Sequence, residues 1–180
     1  WDISRTELDE LGVRSHARAL QATEEGRFER EMVPMTVGDE TYMTDQGIRP
    51  GTSVETLAGL KPAFKEDGKI TAGNASQVSD GAAAVMLMSR EKADELGLKA
   101  RARIVDTTTV GVDPVIMLTG PIPATRKILE RNSMGIGDVD LVEINEAFAS
   151  VVLAWEKELR PDMDRVNVNG GAIAIGHPLG

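Results

Sequence analysis

The sequence contains no cysteine, which removes disulfide bridges, thiolate metal ligands and a cysteine nucleophile from this stretch of chain. Aromatic residues make up only 3% of it. Long apolar runs are missing as well: the longest, Ala82 to Met88, is far too short to cross a bilayer as a helix. The first residues are polar and helix-like, so no signal peptide is predicted.

Basic residues are also outnumbered, with 20 Lys and Arg against 29 Asp and Glu, giving a net charge of −9. A nucleic-acid partner is therefore excluded, because phosphate binding needs a clustered basic face. Only two histidines are present, His16 and His177, and neither belongs to a zinc-binding pattern. We expect a soluble protein of the cytoplasm with no membrane partner and no metal.

The residues that are present predict an α/β organisation. Ser4 and Glu7 form the pattern of a capping box that opens a helix, and residues 31 to 74 are rich in turn signals, with Thr52 and Glu55 capping a short helix. From residue 80 onward, apolar segments alternate with helical ones, which is typical of helices packed on a sheet. We predict strands over residues 81–89, 101–110, 139–144 and 165–169, and helices over 89–96, 123–132 and 146–159.

Two polar residues follow predicted strands, where open α/β sheets gather their ligands. Asn145 comes directly after the strand 139–144, and His177 follows a glycine-rich turn. Each has a structural alternative: Asn145 is a preferred helix N-cap, and a lone histidine more often packs than catalyses. The spacing of Gly171 and Gly176 is that of a P-loop, but the lysine and hydroxyl residue that must follow are missing, so an NTPase is excluded.

Four segments together resemble the thiolase family of acetyl-CoA C-acyltransferases: "NEAFAS" (145–150), "NVNGGAIAIGHPLG" (167–180), "AGNASQVSDGAAA" (72–84) and "VGVDPVIMLTGPIPA" (110–124). The resemblance implies an α/β thiolase-like fold of two βαβαβαββ halves plus a loop domain. Residues 1–78 match the C-terminal part of the loop domain, 79–99 the last strand and helix of the first half, and 100–180 most of the second half. The family's two catalytic cysteines fall outside this range, so we expect an interior piece of a longer polypeptide.

The resemblance also implies roles for individual residues. His177 matches the histidine that activates the nucleophilic cysteine, and Asn145 matches the asparagine whose bound water completes an oxyanion hole. Ser76 matches a serine that binds the pantetheine arm of coenzyme A. Further positions match residues lining the CoA tunnel or acyl pocket: Arg49, Phe64, Ala72, Gly73, Met117, Ala147 and Phe148. Gln77 and Val78 stand where the family commonly has Gly-Leu or Gly-Ile.

The implied reaction interconverts 3-ketoacyl-CoA and CoA with acyl-CoA and acetyl-CoA, without a cofactor beyond the CoA substrates. Both directions, and both short-chain and long-chain acyl groups, fit these motifs. The family implies a homodimer or homotetramer. Two alternatives remain at this point: a non-catalytic thiolase-like protein that binds acyl-CoA, and a purely structural α/β module that binds none.

Overall fold

A computed structural model describes residues 1–179. It contains six α-helices, which we number α1 to α6, two short 3₁₀ turns and one antiparallel pair of short strands. The helices are α1 (Arg5–Glu24), α2 (Val54–Ala58), α3 (Arg90–Glu95), α4 (Pro121–Arg131), α5 (Ala149–Leu159) and α6 (Ala172–Ile175). The 3₁₀ turns cover Ile136–Asp138 and Met163–Arg165, and the strands are β1 (Met35–Val37) and β2 (Glu40–Tyr42).

The predicted caps are confirmed at two helices and displaced at a third. Ser4 Oγ accepts a hydrogen bond from Glu7 N at 3.2 Å while Ser4 N donates to the Glu7 carboxylate, so α1 begins with the predicted capping box. Ser89 caps α3 as predicted, with Oγ accepting a hydrogen bond from Lys92 N at 3.2 Å. The cap of α2 was predicted one residue too early, because Ser53 rather than Thr52 accepts from the helix, at Thr56 N.

Two of the predicted strands were wrong. Residues 81–89 and 101–110 are without a strand ladder, and their large apolar side chains are mostly exposed, as with Val85 at 82%. A strand exists only through hydrogen bonds to a neighbour, and nothing within residues 1–179 pairs with either segment. The apolar pattern predicted buried strands, and within the described residues these two segments are neither paired nor buried.

The strands predicted over 139–144 and 165–169 do lie side by side, although they meet at a single parallel bridge between Val142 and Val166. Val142 N donates to Arg165 O and Asn167 N donates to Val142 O, both at 2.9 Å. Helix α5 connects the two segments. This arrangement is a reduced strand–helix–strand unit, and it fixes the chain immediately before Asn145.

The main core lies between α1, α5 and α6. Its buried members are Leu8, Leu11, Ala149, Val152, Leu153 and Ile173. A second cluster packs Ile122 of α4 and Val166 of the 165–169 segment against Trp155 of α5. Because α5 follows Asn145 and α6 precedes His177, burial of these two helices against α1 brings both residues to one side of the core. Among residues 1–179, no helix has the length and apolar character needed to span a membrane.

Candidate active site

Asn145 and His177 are hydrogen-bonded to each other although 32 positions separate them in sequence. Asn145 Nδ2 lies 3.2 Å from His177 Nε2. The contact joins a carboxamide, which can donate or accept, to a ring nitrogen whose role depends on the tautomer of the imidazole. The two residues that were predicted to lie where ligands gather are therefore in contact with each other. Their catalytic roles stay a prediction.

The structural alternative for Asn145 is wrong. The N-cap of α5 is Phe148, three residues further on, and helix α5 begins only at Ala149. Asn145 instead sits in an extended connection after the Val142 bridge, and its residue is exposed. The side chain of Asn145 therefore does not cap a helix, and the structural alternative does not account for this residue.

The residue after Asn145 carries a buried carboxylate that sequence reasoning missed as a site element. Glu146 is 2% exposed, and its oxygens accept from Ser15 Oγ at 2.6 Å, Asn167 Nδ2 at 2.9 Å and Ile173 N at 3.2 Å. A buried carboxylate is tolerated only when donors surround it. These three donors come from α1, the 165–169 segment and α6, so Glu146 joins the elements on which Asn145 and His177 stand.

The glycine-rich turn before His177 is shaped by the same carboxylate. Gly171 N donates to Ser15 Oγ at 3.1 Å, and a Cβ at Gly171 would overlap the Glu146 carboxyl group. Only a glycine lets the backbone approach so closely. At the other end of α6, Gly176 has φ +91°, a left-handed conformation that turns the chain toward His177. His177 itself is half-buried.

The segment predicted to bind CoA lies against the Asn145 segment. Ala75 and Phe148 form an antiparallel bridge, and Ser76 N donates to Ala147 O at 3.0 Å. No hydrogen bond within residues 1–179 involves Ser76 Oγ, which leaves this hydroxyl available to a ligand. The structure thus brings Ser76, Ala147 and Phe148 together beside Asn145.

The other residues predicted to line the CoA tunnel or acyl pocket differ in exposure and in their contacts with the Asn145 segment. Phe64 is 75% exposed and makes an edge-to-face contact with Phe148, with ring centroids 5.8 Å apart. Ala72 is exposed and Gly73 is buried, both within the turn that leads to Ser76. Met117 is not joined to this group by any hydrogen bond within residues 1–179: its backbone N–H bonds to Asp113 O in a local turn.

Arg49 is connected to the site by contacts with His16 and Gln77, two residues to which the sequence assigned no role in the site. Its backbone N–H donates to His16 Nδ1 at 3.2 Å, and its guanidinium Nη2 lies 3.5 Å from Gln77 Oε1. Burial, with a smaller contribution from the Arg49 charge, lowers the pKa of His16 below its ordinary value of 6.5. His16 is therefore a neutral acceptor that fixes the Arg49 backbone.

No group of three or more His, Asp or Glu side chains within residues 1–179 is arranged to hold a metal ion. The site instead contains polar side chains of four other kinds. They are the imidazole of His177, the amides of Asn145 and Gln77, the hydroxyl of Ser76 and the guanidinium of Arg49. Such a set can accept a proton, donate hydrogen bonds to a carbonyl oxygen and pair with an anionic ligand.

Comparison with known proteins gives two matches that together span nearly all of the chain. The family model "Thiolase, N-terminal domain" matches residues 1–91, and the model "Thiolase, C-terminal domain" matches residues 98–180. The chain belongs to the thiolase family. The finer division at residues 78/79 and 99/100 stays a prediction.

Individual thiolases agree with this assignment. An acetyl-CoA acetyltransferase of Shinella zoogloeoides is 52% identical over 184 residues, covering 100% of this chain and 47% of the relative. The human mitochondrial 3-ketoacyl-CoA thiolase in complex with CoA superposes with a TM-score of 0.95 at 46% identity, over 99% of this chain and 45% of that one. The dimeric peroxisomal thiolase of Saccharomyces cerevisiae gives the same TM-score and identity, over 99% and 46%.

The fold is therefore that of a thiolase, as the sequence predicted. The chain spans about half the length of the curated relatives it matches.

Proposed function

We propose that these 180 residues are part of a thiolase that interconverts 3-ketoacyl-CoA and CoA with acyl-CoA and acetyl-CoA through a cysteine acyl-enzyme. The nucleophilic cysteine lies outside this chain, which has none. The observation that carries the proposal is the 3.2 Å contact between Asn145 Nδ2 and His177 Nε2, because it joins a proton acceptor and an amide in one half-exposed site.

His177 acts as the general base in this proposal. An unperturbed thiol is only a few per cent ionised near neutral pH, so an imidazole that takes its proton speeds attack on a thioester. A neutral imidazole has one ring nitrogen with a lone pair that can accept this proton, and the half-buried position of His177 leaves the ring reachable by a ligand.

Asn145 contributes to stabilising negative charge on the thioester oxygen. In the carbon–carbon bond-forming direction, the acyl-CoA enolate requires donors already aimed at its oxygen. Asn145 supplies a carboxamide that holds a water, and the imidazole N–H of protonated His177 supplies a second donor. Glu146 keeps the backbone beside Asn145 in place through its three buried hydrogen bonds.

Acyl-CoA and CoA bind along the surface formed by residues 72–76 and 147–148, with Ser76 Oγ contacting the pantetheine arm and Arg49 near its anionic end. Phe64 and Phe148 line the apolar part of this surface. Met117 is included among the acyl-pocket residues on the resemblance alone. No other cofactor takes part.

The complete enzyme forms a homodimer or homotetramer in the cytoplasm. Support for an oligomer comes from the Saccharomyces cerevisiae relative, which is described as dimeric. The exposed apolar segments at residues 82–88 and 104–105 are consistent with burial by further protein in the complete enzyme.

The test is thiolysis of a 3-ketoacyl-CoA by the complete polypeptide, followed as acetyl-CoA formation. Turnover by the complete polypeptide, and none by residues 1–180 alone, is the expected result. CoA binding without turnover would favour the non-catalytic acyl-CoA-binding alternative. Turnover by the pure 180-residue chain would contradict the proposal that the nucleophile lies outside it.

A further inference from the structure

Gln77 connects three segments that meet at the candidate active site. Its side-chain Nε2 donates toward Gly47 O at 2.8 Å, Ile173 O at 2.9 Å and Ala174 O at 3.0 Å. Three carbonyl oxygens surround this end of the side chain, so the amide nitrogen must face them and the amide oxygen must face away. That oxygen lies 3.5 Å from Arg49 Nη2.

Two of these carbonyls belong to the short helix that leads to His177. The last carbonyls of any helix have no donor within the helix. In α6, Ile175 N bonds to Gly171 O and Gly176 N bonds to Ala172 O, whereas no backbone donor within residues 1–179 reaches Ile173 O or Ala174 O. Gln77 supplies the missing donor from its side chain, and it does so from outside the helix.

The backbone of Gln77 holds His177 directly. His177 N donates to Gln77 O at 3.3 Å, and Ser79 Oγ donates to the same carbonyl at 3.2 Å. The Gly176 backbone packs so closely against Ser79 that a Cβ on Gly176 would overlap the Ser79 side chain. The chain from Ile173 to His177 is therefore fixed to Gln77 at both ends.

A chain of contacts follows from these bonds. It runs from Arg49 to the Gln77 side chain, through the Gln77 backbone to His177, and from His177 Nε2 to Asn145. We propose that Gln77 is a positioning residue that sets the placement of His177 against Asn145 and couples it to the Arg49 segment. This inference rests on the proposed thiolase function for its kinetic consequences, but not for its structural ones.

Two substitutions of Gln77 in the complete enzyme distinguish the loss of its N–H donors from the loss of its contact with Arg49. Gln77→Glu has the same size and keeps an oxygen facing Arg49, but it loses both N–H donors and places a carboxylate against three carbonyls. Gln77→Leu removes the donors and the contact with Arg49 together. Gln21→Glu is the matched control, because Gln21 Nε2 bonds only to the exposed Glu25, the C-cap residue of α1.

The expected kinetic result is a fall in kcat of about 10- to 100-fold in both Gln77 variants, since a displacement of roughly 1 Å at a catalytic group has effects of this size. The KM for CoA stays within about twofold in Gln77→Glu, which retains the Arg49 contact, and rises further in Gln77→Leu. Gln21→Glu leaves both constants unchanged. All variants are first shown to be folded by circular dichroism, and Gln77→Glu decides alone if Gln77→Leu does not fold.

A second readout does not depend on turnover. The imidazole ¹⁵N resonances of His177, assigned by their loss in His177→Gln, should shift in Gln77→Glu and not in Gln21→Glu. If the wild-type polypeptide has no thiolase activity, this measurement still tests the placement of His177, so failure of the proposed function is distinguished from failure of this inference. Unchanged His177 resonances, unchanged kcat in folded Gln77 variants, or an effect on KM alone would overturn it.

Discussion

Glu146 and Ser15, 131 positions apart in sequence, form a buried 2.6 Å hydrogen bond that ties the segment of Asn145 to helix α1. Ser15 also accepts from Gly171 N, so one hydroxyl joins α1 to both segments that carry the candidate catalytic side chains. The convergence of Asn145 and His177 therefore depends on a polar contact in the core as well as on apolar packing.

Substitution Glu146→Gln should destabilise the protein. The amide nitrogen of glutamine would face either Asn167 Nδ2 or the Ile173 N–H, and a buried donor facing a donor loses its hydrogen bond. We expect the free energy of unfolding to fall by about 1.5–3 kcal/mol, the usual range for hydrogen bonds to a charged group. Urea unfolding measures it.

The control for this prediction is Glu66→Gln, at an exposed position without a hydrogen bond or ion pair within residues 1–179, which should change stability by less than about 0.5 kcal/mol. Equal effects of the two substitutions would contradict the importance assigned to the Glu146 bonds. A double-mutant cycle with Ser15→Ala should give a coupling energy of about 0.5–3 kcal/mol, because the two residues share one bond.

Substitution Ser76→Ala should weaken CoA binding in the complete enzyme. The hydroxyl is available to a ligand, and its loss should raise the KM for CoA by an amount equivalent to about 0.5–1.5 kcal/mol, as for one neutral hydrogen bond. Steady-state kinetics with CoA as the varied substrate measures it. Ser89→Ala is the control, since Ser89 only caps the distant helix α3; an unchanged KM in Ser76→Ala would remove Ser76 from the binding surface.

His16 should make stability depend on pH. Because burial lowers its pKa in the folded state, both states are neutral above pH 6.5 and the residue contributes no pH dependence there. As the pH falls below 6.5, the unfolded chain takes up the proton first, so the free energy of unfolding decreases until the lowered folded-state pKa is reached. The slope from this one group cannot exceed about 1.4 kcal/mol per pH unit.

The variant His16→Asn isolates this effect, because its amide oxygen can still accept from Arg49 N while it carries no titratable group. Urea unfolding at pH 7.5 and pH 5.5 should show a smaller loss of stability on acidification in the variant than in the wild type. An equal loss in both proteins would show that His16 does not titrate differently on folding.

Much of this fold was accessible from local sequence. The Ser4–Glu7 capping box and the Ser89 cap rest on interactions within a few residues, and both were predicted correctly. Helix α4 was also predicted, with its start placed two residues late and its end one residue late. The strands at 81–89 and 101–110 were predicted wrongly. An apolar run indicates that a segment prefers burial, but it does not indicate which segment will pair with it.

The candidate site likewise has parts that the local sequence predicted and parts that it did not. Asn145 and His177 were identified by their position after predicted strands and by the thiolase motifs, and they are in contact. Glu146 was only the first residue of the predicted helix 146–159, and its burial depends on donors from three segments distant in sequence. The links of Ser15, His16 and Gln77 span 131, 33 and 96 positions, and no local pattern encodes such contacts.

Substitution Asn145→Ala should lower kcat about 100-fold with little change in KM, because the group acts through charge that develops in the transition state. Asn169→Ala is the control, since Asn169 Oδ1 bonds only to the exposed Arg27 side chain. A change in KM with kcat kept would place Asn145 in substrate binding rather than in catalysis.

The most direct test of the central claim is the rate of acyl-enzyme formation in a single turnover of the complete polypeptide, with and without the His177→Ala substitution. If His177 is the base that activates the nucleophilic thiol, the rate should fall by about 10²- to 10⁴-fold near neutral pH. Part of this loss should return at alkaline pH, where the thiol ionises without assistance. A folded His177→Ala variant that forms the acyl-enzyme at the wild-type rate would contradict the account.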